Sequence, residues 1–116
     1  MKVHGVHHVS LNVPDVGEAL AFYVDVLGLR VRSDRPDFRF GGAWLDVGGQ
    51  QVHLIEAPAP ADHGQHVAFA VDDLDATVGA LRHGGLEVSD PSPVGTGRQA
   101  FLPAPAGNRI ALHEPA

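Results

Sequence analysis

The sequence predicts an α+β fold built from two tandem copies of one unit, each a strand, a helix and three further strands. Three observations lead there. The first is a repeat. Shifted by 58 positions, His8 falls on His66, Val9 on Val67, Val13 on Val71 and Asp15 on Asp73; far downstream, at the same shift, Gly49 falls on Gly107, Leu54 on Leu112 and Glu56 on Glu114. Between these ends, "VLGLRV" and "HGGLEV" align only after a one-residue gap. Matches at both ends of a unit mark one structural element written twice, filling the chain. The second observation is the alternation of "HVSLNV" and "HVAFAV", which reads as a half-buried strand at the head of each copy. The third is the helix-start grammar that follows each strand. Asp15 can cap a helix with Glu18 three residues on, and Gly28 ends it.

Each element follows in order. The first strand covers 8–13, with Val9, Leu11 and Val13 on one face and His8, Ser10 and Asn12 on the other. "PDVGEALAFYVDVLG" is the first helix, its apolar stripe supplied by Leu20, Phe22, Tyr23, Val26 and Leu27. Short strands are expected at about 29–33, 38–47 and 51–56, with a turn at 48–50. "APAPADHG", 57–64, reads as a linker. The second copy has a strand over 66–71 and a helix from about Asp73 to Arg82, stopped by Gly84-Gly85. Strands are expected at about 86–89, 98–102 and 109–114, with turns in "PSPVGTG" and "PAPAGN".

Bulk properties narrow the function classes. One domain of 116 residues has room for a modest core. No apolar run approaches the roughly 18 residues of a membrane span, and "MKVHGVHHVS" lacks the apolar segment of a signal peptide. The absence of cysteine leaves no disulfide and no thiolate ligand, with a cytoplasmic location as the default expectation. A net charge of −6 argues against a nucleic-acid partner. Eight histidines are the one compositional excess, and histidine is the commonest metal ligand.

The pattern resembles the vicinal oxygen chelate superfamily of glyoxalase I, bleomycin-resistance proteins, fosfomycin-resistance enzymes and extradiol dioxygenases. The resemblance is carried by "HHVSLNVPDVGEALAFYVDVLGL", "QVHLIE", "HVAFAVDDLDATVGALRHGGLEV" and "PAGNRIALHE". It implies two βαβββ units whose mixed sheets curl into half-cups with the helices outside. It also implies metal ligands on the first and last strand of each unit: His8, His53 and His66, with Ala111 at the fourth place. The family usually carries glutamate there, and alanine cannot bind a metal. Three imidazoles can still hold Zn²⁺, Ni²⁺, Fe²⁺ or Mn²⁺, with the softer ions favoured by the lack of a carboxylate. The missing glutamate is also a frequent base in the isomerase branch, and Glu56 and Glu114 fall on the other strand face. The glyoxalase arginine expected four residues after the first histidine is Asn12, which disfavours a glutathione adduct as substrate.

The strand pleat sorts the neighbours. Ser10, Asn12, Gln51, Ile55, Ala68, Ala70, Arg109 and His113 share the ligand face. Val9, Leu11, Val52, Leu54, Val67, Phe69, Ile110 and Leu112 form the apolar face that helices should cover. Candidate substrate contacts are Ser10, Asn12, Trp44, Gln51, Phe101, Arg109, Ala111 and His113, with Phe40 a further aromatic. Each has an ordinary alternative: core or dimer packing for the aromatics, a surface salt bridge for Arg109, a pocket or interface wall for His113. The alternative for the three ligand histidines is that they line a pocket that binds an organic molecule without metal. His4 and His63 read as solvated, His7 as facing away from His8, and His83 as complementing a helix C-terminus. Two functions stay open. One is a metal-dependent lyase, isomerase or dioxygenase whose small substrate offers two adjacent oxygens. The other is a metal-free protein that sequesters an antibiotic; a fosfomycin-type thiol transferase is weaker. A homodimer sharing sites between chains is the expected assembly.

Overall fold

The computed structural model describes all residues, 1–116. The chain forms two compact units, Met1–Pro60 and Ala61–Ala116. The first contains β1 (His8–Val13), α1 (Val16–Leu20) continued by a π-helical stretch (Ala21–Val26), β2 (Arg30–Val31), β3 (Gly42–Val47) and β4 (Gln50–Glu56). The second contains β5 (His66–Ala70), α2 (Leu74–His83), β6 (Ser92–Val94), β7 (Gly97–Pro103) and β8 (Arg109–Glu114). The sheets are ordered β1-β4-β3-β2 and β5-β8-β7-β6. In each, the first and last strands of the unit run parallel and the remaining pairs are antiparallel. This is the expected α+β architecture of two βαβββ units with mixed sheets.

The repeat is written into the registers. His8 pairs with Gln51 and His66 with Arg109, so the shift of 58 holds on both strands of the parallel pair. It is written into the helix caps as well. Asp15 accepts from the Glu18 amide at 3.0 Å, and Asp73 accepts from the Ala76 amide at 3.0 Å. Glu56 and Glu114, at the ends of β4 and β8, reach the first helical amides: Val16 N donates to Glu56 at 3.3 Å and Leu74 N to Glu114 at 2.7 Å. Each helix start thus receives two carboxylates where its amides lack intrahelical partners.

The one-residue gap also has a structural cause. Thirteen steps separate cap Asp15 from Gly28, and twelve separate Asp73 from Gly85; both glycines have positive φ, 82° and 90°. The extra residue of the first helix is absorbed by the π-helical stretch, which is what a π-bulge does. The register is recovered at the hairpins. Two residues, Gly48 and Gly49, join β3 to β4, whereas the β7–β8 connection makes a 3₁₀ turn over Pro105–Gly107.

The core is the apolar face of each sheet under its own helix. Leu45, Val52 and Leu54 are buried with Phe22 and Tyr23, and Phe69, Ile110 and Leu112 with Leu74, Val78 and Leu81. Two expectations are corrected. Val26 is exposed, because the π stretch turns it off the stripe that a regular helix would give it. The edge strand of the second unit lies at Ser92–Val94 instead of 86–89. The 86–89 segment keeps Val88 buried and meets β7 where the Ser89 amide donates to the Phe101 carbonyl and the Phe101 amide donates to the Ser89 hydroxyl. Tyr23, expected on the stripe of the first helix, is fully buried with its hydroxyl unpartnered, and burial pushes its pKa up to about 12.

Candidate functional site

In the first unit the ligand face of the sheet carries a column of rings. Trp44 and His53 are direct cross-strand partners, and His8 lies diagonally across from His53 on the parallel neighbour. The pleat therefore puts all three side chains on one face. The His8 and His53 rings stack at 4.0 Å and 12°, and His53 and Trp44 at 4.3 Å and 9°. The column continues through Phe38, 6.2 Å from Trp44, to Phe40, stacked on Phe38 at 5.1 Å. Arg35 caps it, its guanidinium carbon 4.9 Å from the Phe38 centroid. Phe38 and Arg35 were not singled out from the sequence; the closely spaced aromatics of "FRF" were the available signal.

His53 is buried, and its Nε2 donates to Gln51 Oε1 at 2.8 Å, which leaves Nδ1 as the free ring nitrogen. Its pKa is lowered by burial first, then by the neighbouring His8 and His7 rings. The imidazole is thereby held in the neutral form that binds metals. His7 does not face away: its Nδ1 lies 2.9 Å from His8 Nδ1, and the two rings meet edge-on. The irregular backbone before β1 frees His7 from the strand alternation on which the opposite expectation rested. Ser10 and Asn12 are exposed along β1 beside this group, and Gln51 is half-buried.

In the second unit, His66 is exposed; its Nδ1 donates to the Gly64 carbonyl at 2.8 Å, leaving Nε2 free. A backbone carbonyl on one ring nitrogen is a common way to orient a ligand histidine. The His66 ring sits edge-on to Phe101 at 5.3 Å, and the Arg109 guanidinium lies 5.4 Å from the same ring. Arg109 pairs with Asp62 at 3.1 Å. His113 Nδ1 donates to Gln99 Oε1 at 2.9 Å, and Gly97 supplies the room beside His113 Nε2, since a Cβ there would lie 2.9 Å from it. Asp62 and Gln99 were missed from sequence. Asp62 sits in the stretch read as a linker, and Gln99 is visible only through the β7–β8 register. Ala111 is fully buried, while Ala68 and Ala70 are exposed.

The chain gathers no group of three His, Asp or Glu side chains that could hold a metal. It gathers a pair of imidazoles, His8 and His53, in the first unit. The two rings lie face to face, so their in-plane lone pairs run side by side in this arrangement, and nitrogen donors of this kind suit a borderline or soft divalent ion. They do not suit a hard ion that needs carboxylates. No helix is long and apolar enough to cross a membrane.

Each unit is a mixed sheet with imidazoles on its open face, and comparison with known proteins makes the class specific. Residues 5–112 match the Glyoxalase/Bleomycin resistance protein/Dioxygenase superfamily, and the chain belongs to that family. It is 33% identical over 121 residues to the lactoylglutathione lyase of Haemophilus influenzae, covering 92% of this chain and 90% of that one. It is also similar to TnmS3, an antibiotic binding protein from Streptomyces sp. CB03234, at 28% identity and a TM-score of 0.80, covering 100% and 99% of the two chains. The fosfomycin resistance protein FosX of Listeria monocytogenes shares the fold, at 18% identity and a TM-score of 0.81, covering 99% and 96%. The chain is therefore a glyoxalase-like protein of the vicinal oxygen chelate type.

Proposed function

We propose that the protein is a divalent-metal-dependent enzyme of the lyase, isomerase or dioxygenase kind, acting on a small substrate with two adjacent oxygens. His8, His53 and His66 are its protein ligands in this reading. The observation that carries it is that His8 and His53 are neighbours on one face, their stacked rings 4.0 Å apart between centroids, with the buried His53 held neutral. A bound ion would supply Lewis acidity to the substrate oxygens and stabilise charge that develops on them. The chain's own residues do the rest. Gln51 and the Gly64 carbonyl fix the proton positions on His53 and His66. Ser10, Asn12, Trp44, Phe101, Arg109, Ala111 and His113 are the substrate-side candidates. Zn²⁺, Ni²⁺ and Fe²⁺ suit an all-nitrogen set better than Mn²⁺. Glu56 and Glu114 are committed to helix caps, so neither is the base. The lyase relative points to the reaction class, but Asn12 in place of an arginine and Ala111 in place of a glutamate argue against the glutathione adduct itself.

Elemental analysis of untagged protein tests the reading. About one first-row metal per chain is expected, falling at least tenfold in His53→Ala, since each ligand nitrogen contributes several kcal/mol of affinity. Retention of metal below about pH 6 should also fall, as protons compete for imidazole. Metal-free wild-type protein that stays metal-free on incubation with Zn²⁺ or Ni²⁺ would overturn it.

A second reading is favoured by one feature, the ring column His8–His53–Trp44–Phe38. A flat organic molecule could stack on such a face without metal. The similarity to an antibiotic binding protein supports this alternative, in which the protein sequesters its ligand unchanged. Light scattering at micromolar concentration tests the homodimer proposed for either reading; a monomer would count against it.

A further inference from the structure

The second unit contains a cleft of about 260 Å³ lined by Asp62, Phe101, Leu102, Pro103, Asn108 and Arg109. That volume lies just under the ~300 Å³ at which drug-sized pockets begin, and suits one ring with a short polar group. Within it Arg109 already holds a carboxylate. Its Nε and Nη2 both donate to Asp62 Oδ2, at 3.2 and 3.1 Å. The pair is well exposed to solvent, with side chains 39% and 42% accessible, so it is readily exchanged. Asp62 has an anchor of its own, the Gly64 amide on Oδ1 at 2.9 Å, and this bond ahead of Arg109 holds its carboxyl below the usual range. Losing Arg109 would leave that turn intact. The apolar walls are Phe101 and Pro103, and the same Phe101 ring carries Arg109 and meets the edge of His66.

From this geometry we infer that the cleft is a carboxylate-binding subsite, and that Asp62 occupies the place of the ligand's own carboxylate. The ligand class is a small aromatic or branched carboxylate. Its anion takes Arg109 from Asp62, and its apolar body lies along Phe101 and Pro103. Arg109 is the register partner of His66 on the adjacent parallel strand. A 2-hydroxy or 2-oxo acid held there would carry its second oxygen on the side of the cleft that bears His66. This last step rests on the metal reading above; the grip on the carboxylate does not.

The test is calorimetric titration of the full chain with mandelate and with uncharged mandelamide, after treatment with chelator, so that loss of the metal reading leaves the result interpretable. Mandelate should bind at least tenfold more tightly than mandelamide, the usual worth of a charge-assisted pair. Arg109→Gln should weaken mandelate at least tenfold, with Arg109→Lys intermediate because it keeps charge without the fork. Asp62→Asn keeps the acceptor for Gly64 while removing the competing charge, and should tighten binding about threefold, on the scale of an exposed ion pair. A gain of affinity cannot come from misfolding. Equal binding of mandelate and mandelamide, unchanged affinity in Arg109→Gln, or weaker binding in Asp62→Asn would overturn the assignment.

Discussion

The two units are built alike where they hold the backbone and differ where they face a ligand. At a shift of 58 the helix caps match residue for residue, Asp15 with Asp73 and Glu56 with Glu114, and so does His8 with His66. The remaining face positions do not. Gln51 is answered by Arg109, His53 by Ala111, Ile55 by His113, Ser10 by Ala68 and Asn12 by Ala70. Even the residue across from the ligand position keeps an aromatic type, Trp44 opposite His53 and Phe101 opposite Ala111. The first unit thus carries two imidazoles and a ring column, and the second carries two imidazoles, His66 and His113, and a cation, Arg109. A repeat that specifies the scaffold leaves each copy free to specialise at the exposed positions of the open face, whereas the buried His53 and Ala111 also bear on packing.

The sharpest way to break the comparison is through the helices. If the π stretch of the first unit is an accommodated extra residue, removing one residue from it should return a regular helix and keep Tyr23 and the following Gly28 in phase. Deletion of exposed Ala21 is expected to cost less than about 1 kcal/mol. Deletion of Gly79 in α2, which has no residue to spare, rotates buried Leu81 off the core and should cost about 3 kcal/mol or more. Thermal unfolding of both variants measures the contrast. Equal losses would mean that the π stretch is required in its own right.

A smaller effect sharpens the likeness of the caps. The Glu114 bond to the α2 amide is part-buried and 2.7 Å long, whereas that of Glu56 to α1 is exposed and 3.3 Å. Glu114→Ala should destabilise the protein by about 1.5 kcal/mol and Glu56→Ala by about 0.5 kcal/mol. Urea denaturation with a constant slope checks both values. A reversed order would mean that the caps are not the role of these carboxylates.

Much of this was legible in the sequence because the repeat, the alternation and the cap residues are local signals. The strands of "HVSLNV" and "HVAFAV", the capping by Asp15 and the stop at Gly28 all follow from neighbours within a few positions. What was not legible depends on partners far away in sequence. Glu56 and Glu114 act 40 residues from the amides they cap. Asp62 finds Arg109 across 47 residues, and Gln99 finds His113 only once β7 and β8 are in register. The edge strand moved from 86–89 to Ser92–Val94 because Pro91 and Pro93 mark a turn in sequence, yet an edge strand tolerates a proline that has no amide to donate. The ligand face was readable as a face. The ring column on it was not, since stacking depends on side-chain rotation as well as on pleat.

The smallest expected effect concerns Tyr23, whose counterpart at a shift of 58 is Leu81. Both side chains are buried, but only the first carries a hydroxyl, and it has no partner. Tyr23→Phe removes that group at little change in shape and should stabilise the protein by up to about 1 kcal/mol near neutral pH. The pH dependence separates this from ordinary repacking. Burial raises the folded-state pKa of Tyr23 to about 12 from its ordinary 10.0, so the unfolded chain loses its proton first as pH rises. The contribution favouring the fold is whole below pH 10 and is lost progressively between 10 and 12. Wild-type protein should therefore lose stability across that window more steeply than Tyr23→Phe, whose curve has no such component. Parallel curves would show that the hydroxyl is solvated in the folded protein, and that the two helices bury their faces alike.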